Sequence, residues 1–449
     1  MAQTLDMTRG APARLIISFA LPLMLGTIFQ QLYSLVDSAV VGQLLGVDAF
    51  AAVGAASFFG WLAFSVVLGM TQGFGVLFAQ RFGAKVGLKR AVAMAVLLAF
   101  ALSAAMTALF LLCVRPVLVL VRTPEALLPG ALAYLHWTLG GLIVTFFYNT
   151  AASLLRALGD GRTPLVAVIL SSVLNIALDV LFVAAFHMGI GGVACATLIA
   201  QFFSFLYCIA KLRTYQVARP ARADFMPEPS TLRELMRLGT PLALRDAIIS
   251  IGGLFVQSVI NGFGVLFVAG TTAARRCFGL IEMAGAALDG AIATYVGQNF
   301  GAGEHARIRT GVRTSARIAL ACAIVMAALT FLLGRPLLGL LLPSSAESAQ
   351  AIDIGYANLC AIALCLPALY MLYIYRSALQ GIGRPLAPML SGFVELLLRI
   401  ATVYLLPRIM GPWGVYLADP VGWIGAALLL GGSYAVANRK ILQAESKEC

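Results

Sequence analysis

Long apolar runs broken by short polar stretches dominate the chain. Twelve of them are long enough to cross a hydrocarbon layer of about 30 Å at 1.5 Å per residue. They fall at 14–40, 49–79, 91–113, 131–155, 164–186, 189–211, 240–262, 277–297, 315–334, 352–375, 385–407 and 413–437. In lipid, a helix satisfies its backbone donors and acceptors internally and can be apolar on every face. The pattern therefore predicts an all-α polytopic membrane protein with twelve transmembrane helices. The most polar stretch between the runs is Arg213–Arg237, with three prolines and alternating Arg, Asp and Glu. It reads as a cytoplasmic linker, 213–237, between an N-terminal six-helix bundle, 1–212, and a C-terminal one, 238–449.

The two halves repeat. AQRFGA at Ala79–Ala84 returns as GQNFGA at Gly297–Ala302, 218 positions later, and Pro22 returns as Pro241 at an offset of 219. RALGDGRTP at Arg156–Pro164 returns as SALQGIGRP at Ser377–Pro385, an offset of 221. Each half holds an even number of spans, so both enter from the same side and the repeat is parallel, with its axis along the membrane normal. Two similar bundles facing one another predict a pseudo-symmetric molecule with a central cavity and rocking between the halves.

Composition agrees: 61% of the 449 residues are hydrophobic and 11% charged, with a mean hydropathy of +0.94. That range belongs to polytopic membrane proteins rather than soluble domains. The net charge of +12 does not point to nucleic acid, because the basic residues lie between the apolar runs. Of 31 Lys and Arg, 22 fall at the termini and in the even-numbered loops and only six in the odd-numbered loops and their helix ends. The positive-inside rule then places both termini in the cytoplasm. Met1–Gly10 is polar and the first apolar run is long enough to span, so no cleavable signal peptide is expected. The eight cysteines are scattered, form no CxxC, and read as packing residues.

Signatures of enzymes and ATP-driven pumps are absent: there is no phosphate-binding GxxxxGK[ST], no HExxH and no GxSxG. His136, His187 and His305 are far apart and make no evident ligand set. Transport would have to run on an ion gradient, with no cofactor. The chemistry begins at Asp179, which lies in the otherwise apolar run SSVLNIALDVLF with Asn175 and Ser171 one and two turns before it on the same helix face. A carboxylate at that depth costs several kcal/mol unless it meets a wet cavity, a partner or a proton. The alternative is an interhelical hydrogen-bond clamp.

Gln30, Ser34 and Asp37 share a face of the first span, and Tyr134 and Thr197 offer hydroxyls from spans four and six. Two carboxylates, an amide and hydroxyls can exchange a proton, or ligate Na⁺ at Asp37, Asn175, Asp179 and Thr197. Asp37 also lies near the outer end of its span, where a carboxylate can simply meet water.

The second half lacks equivalents: Asp37 maps at offset 219 onto Val256 and Ser34 onto Gly253. At offset 220, Asn175 and Asp179 map onto Glu395 and Arg399, one turn apart, which reads as a mainly structural ion pair. Glu282 and Asp289, seven apart on span eight, are candidates to line a cavity.

The Pro22-to-Asp37 span with YSLVDSAVVG, AQRFGA, RALGDGRTP, the Asn175-x₃-Asp179 pair and GQNFGAGE together resemble the multidrug and toxic compound extrusion (MATE) transporters. The resemblance covers essentially the full length, and the first-half acids look like the DinF-like and archaeal branch. It implies a V-shaped, twelve-helix antiporter of the cell (cytoplasmic) membrane that expels amphipathic, often cationic compounds in exchange for H⁺ or Na⁺. By that resemblance Asp37, Tyr134, Asn175, Asp179 and Thr197 match the cation or proton site, and Pro22 matches a proline at which the first helix bends. Another branch carries a Glu in span seven and an Asp in span ten. Here those spans offer only Asp246 near the inner end and Asp353 at the outer edge, so a second-half cation site of that kind is not expected. The wider superfamily includes lipid-linked oligosaccharide flippases, which would use a basic cavity; few cations lie centrally in these spans. The expected partners are small-molecule substrates and the bilayer, not nucleic acid, and the expected state is a monomer.

Overall fold

The structure, a computed structural model, describes residues 5–120, 123–342 and 346–448, with side chains for all of these except 34, 35, 38, 47, 346, 347 and 444–448. The described residues form helices and connecting turns, with no strand among them. Two compact units emerge. The first contains Leu25–Ala243, joined by Leu5 and Asp6; the second contains Met7–Met24 and the chain from Leu244 onward.

The first unit takes the C-terminal part of α1 (Pro12–Val40), then α2 (Val47–Ala84), α3 (Leu88–Leu120), α4 (Leu128–Gly140), α5 (Leu142–Ala157), α6 (Arg162–Val180) and α7 (Gly189–Leu212). It ends with the N-terminal part of α8 (Pro229–Asn261). The second unit takes the remaining parts of α1 and α8, with α9 (Val265–Gly301), α10 (His305–Leu341), α11 (Ala346–Gly381) and α12 (Leu386–Leu405). The short α13 (Pro407–Met410) and α14 (Pro412–Tyr416) lead into α15 (Ala418–Glu448). Among the described residues, eleven helices are long and apolar enough to span a membrane, and the bent pair α4–α5 taken as one span makes twelve. Their outer faces carry bare aliphatics such as Leu112, Leu120 and Leu340, each more than 75% exposed. Lipid, not water, is the solvent in which such faces are stable.

The run 131–155 differs from the single straight span expected of it. It breaks at Gly141, with a 46° bend between α4 and α5. Gly141 leaves the helical region (φ −86°, ψ 5°), and a Cβ there would lie 2.0 Å from Cδ2 of Leu198 in α7. The missing side chain lets α7 press into the break. The span expected at 277–297 is also longer, because α9 starts at Val265. At 37 residues it runs about 55 Å, well beyond a 30 Å core. Arg275 and Arg276, read from sequence as lying in or beside a loop, are therefore exposed residues of its N-terminal extension.

Small residues hold α8 in the first unit. A Cβ at Gly69 would lie 2.3 Å from Cα of Ala243, and one at Gly73 2.3 Å from Cα of Gly239. This small-xxx-small stripe lets the α2 and α8 backbones touch. In the second unit, the residues leading into α1 are pinned in the same specific way. The Met7 N–H donates to Gln298 Oε1 at 2.8 Å, and Asn299 Nδ2 and Arg307 Nη2 donate to its carbonyl. Gln298 and Asn299 belong to the GQNFGA marker, so that motif seats the N-terminal segment.

The RALGDGRTP marker is a helix stop and a helix start. Gly159 takes φ +81°, and Asp160 N–H bonds back to the Leu155 carbonyl at 2.9 Å, closing α5 with a left-handed glycine. Asp160 then accepts the Thr163 N–H at 2.9 Å and its hydroxyl at 2.6 Å, capping α6. It also accepts the Tyr215 hydroxyl at 2.8 Å, and burial together with this carboxylate raises the Tyr215 hydroxyl's pKa above its ordinary value.

In the second half the same turn is made by Gly383 at φ +76°, with Arg384 N–H bonded to the Leu379 carbonyl at 2.9 Å. The backbone equivalence is therefore Gly159 with Gly383, an offset of 224, not the 221 at which the letters match best. On that offset Asn175 pairs with Arg399 and Asp179 with the buried Val403. The letters slip because Leu, Gly and Pro recur within a few residues, whereas a left-handed glycine is fixed by its φ.

Candidate functional site

In the first unit, α1, α4, α6 and α7 bring five side chains together. Asp37 comes from α1, Asn175 and Asp179 from successive turns of α6, Tyr134 from α4 and Thr197 from α7. Asp179 is fully buried and Asn175 is 2% exposed. The carboxyl groups of Asp37 and Asp179 lie within hydrogen-bonding range of each other, and the Tyr134 ring stands close to both. Asn175 Nδ2 reaches the Thr197 hydroxyl at 3.4 Å, while that hydroxyl donates to the Val193 carbonyl at 3.1 Å.

Both acid-bearing helices end in a wider π-helical turn within four residues of the acid, Val41–Leu45 after α1 and Leu181–Ala185 after α6. Such turns are uncommon and concentrate at functional sites. Val41, Val183 and Val193 pack together there as a small apolar cluster.

What four acceptor oxygens of the site lack, among the described residues, is a donor. Among the described residues, Asp37 Oδ1, both oxygens of Asp179 and Asn175 Oδ1 are buried without a hydrogen-bond partner. Two ionised carboxylates cannot donate to one another, so their proximity is unfavourable until something positive is shared between them. One proton turns the pair into a donor and an acceptor. A small cation such as Na⁺ would meet the same oxygens, with the Thr197 hydroxyl as a further oxygen donor. The described residues include no group of three or more His, Cys, Asp or Glu with metal-site geometry, so the donor set suits a proton or a monovalent ion rather than a tightly chelated metal.

Sequence reasoning missed Tyr33, whose side chain stands near Asp37, Asp179 and Tyr134. The signal was available: Tyr33 is one turn before Asp37 on the same helix face. Gln30 is exposed. The Ser34 side chain lies outside the described residues. Pro22 is inside α1, which continues through it, and two residues after it the chain passes from the second unit to the first.

The second unit holds a different set. The Tyr373 hydroxyl donates to Glu282 and the Ser377 hydroxyl to Asp289. Arg376 Nε lies 3.6 Å from Asp289, and its guanidinium stacks 4.6 Å from the Tyr373 ring centroid. Glu395 and Arg399 form the expected pair at 2.6 Å, but the pair is not self-contained: Arg399 Nε also lies 2.9 Å from Asp419 at the start of α15. Gly422 makes room for this, since a Cβ there would lie 3.2 Å from side-chain carbons of both Glu395 and Arg399. Asp246 is taken up by its neighbour Arg245 at 2.6 Å.

The MatE family pattern matches the chain twice, at residues 22–181 and 241–405. Among characterised sequences, the chain is 30% identical over 306 residues to the probable multidrug resistance protein YpnP of Bacillus subtilis, covering 68% of each chain. It is 25% identical over 419 residues to the probable multidrug resistance protein NorM of Thermotoga maritima, covering 90% of this chain and 89% of that one. The fold matches a multidrug resistance MATE family transporter of the MOP superfamily solved in an outward-facing conformation, with a TM-score of 0.89, 24% identity and 99% of both chains covered. A MOP superfamily transporter from Pyrococcus furiosus matches equally, with a TM-score of 0.89, 23% identity and 98% of this chain and 99% of that one covered.

Proposed function

The chain belongs to the MatE family and is a multi-pass membrane transporter rather than an enzyme, and from that premise we propose that it is a secondary antiporter. It exports amphipathic, cationic compounds in exchange for H⁺ or Na⁺, acting as a monomer in the cytoplasmic membrane with both termini inside. The relatives' designation as multidrug resistance proteins supports the substrate class. Asp37 and Asp179 bind the driving cation, Asn175 and Thr197 add oxygen ligands, Tyr134 borders the pair, and Pro22 gives α1 a point at which it can bend.

The observation that carries this assignment is the set of four buried acceptor oxygens without donors. A driving ion works only if its affinity differs between inward- and outward-facing states, because a ligand shifts only equilibria it binds differentially. Two carboxylates at the π-helical ends of two helices provide that difference, since a small change in either helix end alters how far apart the charges stand.

The test is uphill flux of amphipathic cations, beginning with ethidium, in proteoliposomes with pH and Na⁺ gradients imposed separately. Asp179→Asn keeps size and hydrogen-bonding capacity but removes the charge. It is expected to fold and to lose concentrative flux by at least tenfold. Wild-type uphill flux from this variant would make the acid a structural clamp.

A further inference from the structure

The buried and half-buried charges of the second unit do not balance, and the imbalance falls on one residue. Three guanidiniums, those of Arg245, Arg376 and Arg399, share this region with five carboxylates: Asp246, Glu282, Asp289, Glu395 and Asp419. Asp246 is held by Arg245 at 2.6 Å, Asp289 by Arg376 and Ser377, and Glu395 by Arg399 at 2.6 Å. Asp419 adjoins Arg399 and its side chain is 32% exposed. Glu282 alone forms no ion pair among the described residues, and the hydrogen bond it receives comes from a neutral group, the Tyr373 hydroxyl. Glu282 is half-buried; an unpaired carboxylate held partly away from water is costly, and the least expensive relief is a proton.

We propose that Glu282 is a second proton-binding carboxyl, in the second unit and separate from the Asp37–Asp179 pair, with Tyr373 as its hydrogen-bonding partner. The ligand is a single proton exchanged with solvent. In the ionised form the Tyr373 hydroxyl donates to the carboxylate. In the protonated form the carboxyl O–H can itself donate to the phenol oxygen, so the same contact serves both states without a change of partner.

The groups around it are consistent with this exchange. From α11, Glu282 is faced by Tyr373 and Arg376; from α12, by Arg399 and Glu395; Asp289 lies two turns along its own helix. Both arginines are committed to other acids, so they limit the cost of the charge without cancelling it. Tyr373 is held in turn by Arg376 stacked on its ring. Gly285 is bare where a Cβ would lie 2.9 Å from the Tyr373 ring, which lets α11 bring the phenol up to α9.

The experiment reads protonation directly and needs no transported substrate. The full chain is placed in lipid nanodiscs, and the carbonyl-stretch bands of protonated carboxylic acids are followed by infrared difference spectroscopy as pH is stepped. Glu282→Gln is expected to lose one pH-dependent component that the Asp37→Asn/Asp179→Asn double variant retains. Tyr373→Phe is expected to keep that component and shift its frequency, because the hydroxyl touching it is gone. The proposal is overturned if folded Glu282→Gln retains every component, or if the double variant in the first unit removes them all. It is equally overturned if Tyr373→Phe leaves every frequency at its wild-type value, and that spectrum decides the matter should Glu282→Gln fail to fold. Failure of the first-unit coupling assignment would appear elsewhere, as unchanged uphill flux in Asp179→Asn.

Discussion

At the scale of single residues, burial alone does not tell a working acid from a structural one; the partners do. Asp179 and Glu395 are both buried acids inside apolar helices, 0% and 4% exposed. Asp179 has no donor at either oxygen, while Glu395 is paired with Arg399 at 2.6 Å. In the proposed coupling scheme the first is free to take up a cation, whereas the second already has one. Glu395→Gln alone should therefore take from Arg399 its partner at 2.6 Å and leave it the half-exposed Asp419 and the more distant Glu282, lowering stability by about 3 kcal/mol. Glu395→Gln with Arg399→Met should recover most of that loss and leave uphill flux near wild type, since Asp419 can meet water. Thermal midpoints in detergent and proteoliposome flux measure the two effects. Within the first unit, Asp37→Asn should match Asp179→Asn in flux, and Asn175→Ala should weaken coupling less because the acids remain.

At the scale of elements, the helices are shaped by glycines where another backbone comes close. Gly73 lies in α2 against Gly239 of α8, with no space for a methyl group, whereas a Cβ at Gly54 in the same helix would meet nothing within 4 Å. Gly73→Leu should thus force α8 off α2 and cost about 3 kcal/mol or more, read as a lowered thermal midpoint or loss of monodisperse protein in gel filtration. Gly54→Ala should be neutral or stabilising by up to about 1 kcal/mol, because it only removes glycine's helix penalty. Equal effects from the two would mean that the α2–α8 crossing does not hold the first unit together. The break at Gly141 follows the same rule, with Leu198 of α7 filling the space.

At the scale of the whole molecule, two helices change unit along their length. α1 does so between Met24 and Leu25 and α8 between Ala243 and Leu244, two residues after Pro22 and Pro241. Proline removes the amide that would bond to the carbonyl four residues earlier, at Ser18 and Arg237, so each helix is weakest just before it changes unit. In the proposed parallel repeat, an even number of spans per half puts both ends of the chain on one side, and the loop arginines place that side in the cytoplasm. Cysteine tags appended at the two termini should resist membrane-impermeant maleimide in intact cells and react after permeabilisation. Labelling of either tag from outside would reverse the assignment.

The sequence by itself determined whatever depends on neighbours along the chain. Hydropathy and the 3.6-residue period gave the spans, the loop arginines gave an orientation, and the one-turn spacing put Asn175 and Asp179 on one face. The absence of first-half acids from the second half was legible too, since Val256 needs no partner to be read as apolar. Tertiary structure decided whatever depends on atoms brought from distant segments. Leu198 breaks the span at Gly141, Asp419 turns the Glu395–Arg399 pair into a triad, and Tyr373 singles out Glu282 among five acids. The repeat makes the same point: its letters match best at an offset of 221, but the left-handed glycines that end α5 and α11 stand 224 apart. Letters record which residue is present, whereas register is set by which backbone amide bonds to which carbonyl, and that is fixed only in the folded chain.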